Sequence, residues 1–98
     1  MSAYVIVEVS IQNQSEYEEY KKLTPAAVAA FNGKFVVRGG ESTTLEGDWK
    51  PERIVILEFP TSLRANEWWN SELYNKAKEI RQRAAKTKMI IVEGYEQV

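Results

Sequence analysis

The residues of this chain best suited to hold a small molecule are Arg38, Glu58, Arg53, Tyr20, Trp69 and Tyr74. Arg38 ends the apolar run "KFVV" and is followed at once by Gly39-Gly40, so a planar, permanently charged fork stands where a strand stops. Such a fork suits a carboxylate or an enolate, which it can meet with two parallel hydrogen bonds. Glu58 falls roughly three residues or fewer from the level of Arg38 if the following strand pairs with it, so an Arg38–Glu58 ion pair is expected. Two readings of that pair stand side by side. In one it fixes strand register or subunit geometry, and in the other the guanidinium points into a space where a ligand is held.

Glu8, Glu58 and Glu93 are the carboxylates of interest. With the first and third strands taken as parallel, Glu8 and Glu58 share one end of a sheet and Glu93 the other. Two neighbouring carboxylates could raise each other's pKa and supply a proton acceptor, although solvated or arginine-paired carboxylates account for them as well. No catalytic residue can be assigned. The chain has no cysteine and no histidine. This removes thiolate chemistry, the commonest general base and the commonest zinc ligands, and it leaves haem without a histidine to ligate iron. No cofactor and no metal are expected. Tyr17, Tyr20, Trp69 and Tyr74 read as packing between helix and sheet, with polar tips reaching the edge; with Arg53 they would line any pocket there.

These residues must be positioned by a small domain. At 98 residues the chain forms a single domain over residues 1–98, whose core buries about 60–70% of the unfolded surface. The formal net charge of −1 gives no overall field for nucleic acid or an anionic membrane. No apolar run of about 18 residues and no leader-like start is present, so a soluble, cytoplasmic protein is expected.

Periodicity supplies the elements. "AYVIVEVS" alternates, placing Ala3, Val5, Val7 and Val9 on one face and Tyr4, Ile6, Glu8 and Ser10 on the other. A capping box from Ser15 to Glu18 opens a helix with Tyr17, Tyr20, Leu23, Ala27 and Phe31 on its buried stripe; Pro25 predicts a break, and Asn32-Gly33 ends it. "KFVVR" and "RIVILEF" are strands, and the stretch from 62 to 86 is helical with Ser62 as cap, an interruption near Asn70-Ser71 and a stripe of Trp69, Leu73, Ala77, Ile80 and Ala84. "KMIIVEGY" is the last strand. Acidic residues early in the first helix and the basic run Lys76, Lys78, Arg81, Arg83, Lys86, Lys88 read as solvated faces.

The order β-α-β-β-α-β predicts an α+β, ferredoxin-like fold, with a four-stranded antiparallel sheet and its helices on one side. The other side would carry Tyr4, Ile6 and Glu8, Val36 and Arg38, Ile54, Ile56 and Glu58, and Met89, Ile91 and Glu93. That is about six large apolar side chains, more than a monomer leaves in water. A second copy packed sheet against sheet is the expected cover, so a homodimer is predicted. RNA fits poorly, because that face offers Tyr4 and three glutamates where stacking aromatics and positive charge are needed.

Several blocks, "FVVRGG", "LEGDWKPER", "LEFP", "WWNSELY" and "IIVEGY", resemble in order and spacing the domain of unknown function 1330, in the dimeric α/β-barrel superfamily. The resemblance spans Tyr4 to Tyr95 and implies a ferredoxin-like homodimer whose sheets form a barrel, without implying a reaction. Members often carry proline where this chain has Glu72. The expected function is a homodimeric small-molecule-binding domain with its ligand near the sheet and Arg38. A cofactor-independent oxygenase or isomerase, or a purely structural dimer, are the alternatives.

Overall fold

A computed structural model describes residues 1–96. The elements run β1 (Ala3–Ile11), α1 (Gln14–Ala30), β2 (Lys34–Arg38), β3 (Arg53–Phe59), α2 (Ser62–Trp69), α3 (Glu72–Ala84) and β4 (Ala85–Glu93). They build one antiparallel sheet in the order β2-β3-β1-β4, the ferredoxin-like arrangement expected from the element order. The alternation of β1 holds throughout: Ala3, Val5, Val7 and Val9 are buried under the helices. With Leu57, Phe59, Tyr17, Val28, Trp68 and Tyr74 they make the core.

Each helix starts on a side-chain cap. Asn13 Oδ1 accepts from the Glu16 amide at 3.1 Å, Thr61 Oγ1 from Arg64 at 3.0 Å and Ser71 Oγ from Tyr74 at 3.1 Å. α1 therefore begins two residues before the expected box at Ser15, because an asparagine oxygen satisfies the free amides equally well. Asn32 takes φ +64° and closes this segment as foreseen.

Pro25 does not break α1, which runs through it. Proline lacks the N–H that would reach the carbonyl four residues back, that of Lys21. The freed oxygen is satisfied instead by Thr24 Oγ1 at 3.3 Å and by Arg38 Nη2 at 2.9 Å. A missing amide on a helix thus fixes the arginine at the end of a strand.

Two strand assignments differ from expectation. A bulge between Phe35 and Val37 gives β2 an extra residue, so Val37 faces Ile56 while Arg38 pairs with Val55. Arg38 consequently turns to the helix side of the sheet and not to the open side. In β4, Met89 and Ile91 lie opposite Val7 and Val5 and pack on the core, leaving Lys88, Ile90 and Val92 on the open face. Three successive apolar residues, Ile90, Ile91 and Val92, carry no alternation from which the face could be read. The open face of the protomer is therefore Tyr4, Ile6, Val37, Ile54, Ile56, Ile90 and Val92, with Lys34, Glu58, Glu8 and Lys88 among them. It remains apolar: Ile90 is 59% and Val92 41% exposed.

Gly39 has φ +73°, and a Cβ there would collide with Arg53 Nη1. Gly39→Ala is expected to cost about 1–3 kcal/mol and to displace the Arg53 guanidinium, seen as a lowered thermal midpoint. Gly40→Ala, with nothing near its Cβ, should stay within about 1 kcal/mol of the parent.

Candidate functional site

The helix-side position of Arg38 brings it to Arg53, the first residue of β3. Both line a surface cleft of about 370 Å³ together with Glu18, Lys21 and Lys22 of α1. Both also line an inner space of about 20 Å³ between helices and sheet, whose walls include Tyr17, Tyr20, Phe35 and Trp68. Arg38, Arg53 and Lys21 line both spaces and thus form the neck between an outer polar cleft and an inner aromatic space large enough for about one water.

Each arginine is held by contacts other than acids. Arg53 Nε donates to Tyr17 OH at 3.2 Å, and its guanidinium carbon lies 5.4 Å from the centre of that ring. Arg38 stacks 4.3 Å from the Phe35 ring and uses one nitrogen on the Lys21 carbonyl. Among the described residues neither has a carboxylate within ion-pair distance, since Glu18 and Glu58 are taken by Lys21 at 3.2 Å and Lys34 at 3.5 Å. The Glu18 carboxyl is held below its ordinary range by hydrogen bonds from Lys21 and Gln14, with the Lys21 and Arg53 charges adding to them, so it stays an anion at the edge of the cleft.

Deeper in, Tyr20 OH and Tyr74 OH are 2.8 Å apart and either can donate. Arg81 Nε donates to Tyr74 OH at 3.3 Å. Burial, followed by the neighbouring Tyr74 phenol, pushes the Tyr20 phenol well above its ordinary pKa. Its hydroxyl therefore remains a neutral donor and acceptor. Because the folded state keeps this proton more tightly than the unfolded chain, the associated stability is complete below about pH 10 and is lost as pH rises past it. Spectrophotometric titration should show a phenol that ionises only with alkaline unfolding and that Tyr20→Phe removes. Ionisation of every tyrosine at ordinary pH in the folded protein would contradict this.

Of the residues proposed from sequence, Arg38, Arg53 and Tyr20 meet at one place, with Tyr74 bonded to Tyr20. Glu58 does not join them. It lies on the open face opposite Tyr4 and Lys34, and its carboxyl is held below the usual range chiefly by the Ser2 side chain, then by Lys34 and the Tyr4 hydroxyl. The expected Arg38–Glu58 pair is thus absent, because the bulge sends the two side chains to opposite faces. Nor do Glu8 and Glu58 share a sheet end: β1 and β3 are antiparallel, placing Glu8 opposite Ile54 and Glu58 opposite Tyr4. Trp69 is 39% exposed with Lys78 Nζ 3.6 Å from its ring centre, and Trp68 takes the buried place.

Trp68 and Arg81 are the residues that sequence reasoning misses. The interruption expected near Asn70-Ser71 is present, but one stripe carried across it puts Trp69, Leu73 and Ile80 inside, whereas Trp68, Tyr74 and Arg81 are buried, beside Ala77 and Ala84 as expected. The spacing of that set is readable, but the arginine within it merges with the basic run around it.

Solved structures with this fold include a protein of unknown function from Rhodopseudomonas palustris, at 19% identity and TM-score 0.78, covering 98% of this chain and 84% of that one. A dimeric ferredoxin-like protein of unknown function from Jannaschia sp. CCS1 matches at 11% identity and TM-score 0.74, over 96% of this chain and all of that one (100%). SnoaB, a cofactor-independent oxygenase from Streptomyces nogalater, matches at 11% identity and TM-score 0.71, over 99% and 96% of the two chains. No curated protein matches the sequence. A family model described as Domain of unknown function (DUF1330) matches residues 2–95.

Proposed function

From the premise that this chain belongs to the DUF1330 family, we propose that it is a homodimeric domain that binds a small anionic molecule at the Arg38–Arg53 neck. The observation that carries the reading is that Arg38 and Arg53 line the same cleft and the same inner space, and that neither has a carboxylate within ion-pair distance among the described residues. Arginines that share a cleft are ordinarily paired with acid groups, and a ligand carboxylate or enolate is the group whose geometry they match. The outer cleft, at about 370 Å³, is of the size that small ligands occupy. The ligand body lies there, over Lys21 and Lys22, with its charged end at the neck.

The dimer half of the proposal rests on the open sheet face. Its apolar residues form a continuous patch; of its two acids Glu58 already has partners within its own protomer, and Glu8 stands opposite Lys88 in the β1–β4 register. The dimeric neighbour of like fold agrees with this reading. A face so apolar has no use for RNA, and no described helix is long and apolar enough to cross a membrane. We place the protein in the cytoplasm, as a cysteine-free small domain forgoes the disulfides that exported ones often use.

Calorimetric titration with salicylate tests the site. Arg53→Met and Arg38→Met are each expected to weaken binding by about tenfold or more, and salicylamide should bind correspondingly worse. Unchanged affinity in both variants would make the arginines structural and leave an interaction dimer. Turnover is a second reading, favoured by the cofactor-independent oxygenase of like fold; dioxygen uptake with a phenolic acid bound would reveal it.

A further inference from the structure

A second cleft, of about 560 Å³, lies on the far side of a wall made by Trp68, Arg81 and Met89, which line both it and the inner space described above. Its sides are the end of α2, the Arg81–Gln82 turn of α3 and the helix-side residues Thr87, Met89 and Ile91 of β4. Polar groups without partners collect here. Trp68 is 1% exposed, yet its indole Nε1 has no hydrogen-bond partner among the described residues, and the same is true of the buried Thr87 Oγ1. Arg81 is 6% exposed, places Nε on Tyr74 OH, and has no carboxylate within ion-pair distance among the described residues.

An indole N–H and a guanidinium can only donate, and a threonine hydroxyl can donate. Leaving the indole N–H and the hydroxyl unmatched in the interior costs free energy, and a largely buried guanidinium without a counter-charge favours an anion beside it. The matching partner is rich in acceptors and negatively charged, and the remaining walls, Val5, Met89 and Ile91, suit an apolar body. We propose that the cleft between α2, α3 and β4 is a second ligand site, which receives the carboxylate of a small aromatic or aliphatic acid on Arg81, Trp68 Nε1 and Thr87 Oγ1. The two unpartnered atoms are sealed from solvent, so occupation moves the wall that carries them. This site uses residues distinct from Arg38 and Arg53 and stands or falls apart from the neck.

The test is an NMR titration of the full chain with 2-naphthoate, following the Trp68 indole N–H and the Met89 and Ile91 methyl groups. These resonances are expected to shift together and saturably, with 2-naphthylmethanol at least about tenfold weaker. Read at the Ile91 methyl, which lines this cleft and not the inner space, Thr87→Val, which keeps the shape of the side chain, should weaken binding about fivefold or more, and Arg81→Met by about tenfold or more, whereas Arg38→Met and Arg53→Met should leave that affinity within about twofold. An unmoved Trp68 indole resonance at millimolar 2-naphthoate overturns the proposal. So does affinity that ignores Thr87→Val but falls with Arg38→Met, a result that supports the neck instead. Insensitivity to all four variants rejects both sites for this probe.

Discussion

Ile56→Asp is expected to yield a folded monomer. Ile56 sits near the middle of the open face, between Ile6 of β1 and Val37 of β2, and is half-buried in the protomer. In a single copy the aspartate reaches water at little cost. Across a two-fold interface two of them are desolvated, with Lys34, two positions along the same face, already paired to Glu58, a penalty of roughly 3–5 kcal/mol or more, which weakens association about a hundredfold to several thousandfold. Sedimentation velocity at micromolar protein should show the parent as a dimer and the variant at monomer mass with an unchanged circular dichroism spectrum. A dimer that survives the change would mean that another surface joins the copies.

Trp68→Ala should destabilise the protomer more than any single change at the neck or on the open face. The indole is 1% exposed and packs 4.2 Å from the Tyr74 ring centre and 5.3 Å from that of Phe59. Emptying its place costs about 3–5 kcal/mol. For a domain of this size that lowers the thermal midpoint by roughly 12 °C or more. Trp69→Ala, by contrast, loses an exposed ring and its contact with Lys78, about 1 kcal/mol or less. Thermal unfolding of the two variants separates them, and a larger loss at Trp69 would contradict the placement of the α2 stripe.

That pair of tryptophans also shows how far the sequence can be read. The alternation of "AYVIVEVS" places one face of β1 correctly because each inward position is a small or branched apolar residue, whereas of the outward ones only Ile6 is. "RIVILEF" reads equally well once its glutamate is set on the open side. The misplacements of Arg38 and of the helical stripe share one cause, a change of phase that composition does not record, whereas that of Glu8 beside Glu58 comes from taking β1 and β3 as parallel. One extra residue at the β2 bulge turns Arg38 from the open face to the helix side, and the new start at Ser71 replaces Leu73 and Ile80 of the expected stripe by Tyr74 and Arg81 while Ala77 and Ala84 stay inside. In β4 the run Ile90-Ile91-Val92 has no phase to read.

The site is legible in its chemistry more than in its geometry. Arg38, Arg53 and Tyr20 stand out by residue type and place in the chain, and they do meet. Glu58 becomes a partner for Arg38 only if Arg38 is set on the wrong face, and Arg81 is hidden within a basic run. The link between Pro25 and Arg38 through the Lys21 carbonyl has no signature in the sequence, since it joins a missing amide in α1 to a strand end 17 positions away from that carbonyl.

A crystal structure of the protein grown with salicylate would bear most directly on the neck. The carboxylate should lie within hydrogen-bond distance of both the Arg38 and Arg53 guanidinium groups, with the ring in the cleft over α1. Arginines instead engaged by acidic side chains of a second copy, with salicylate elsewhere or absent, would show that the two cations serve assembly and hold no ligand.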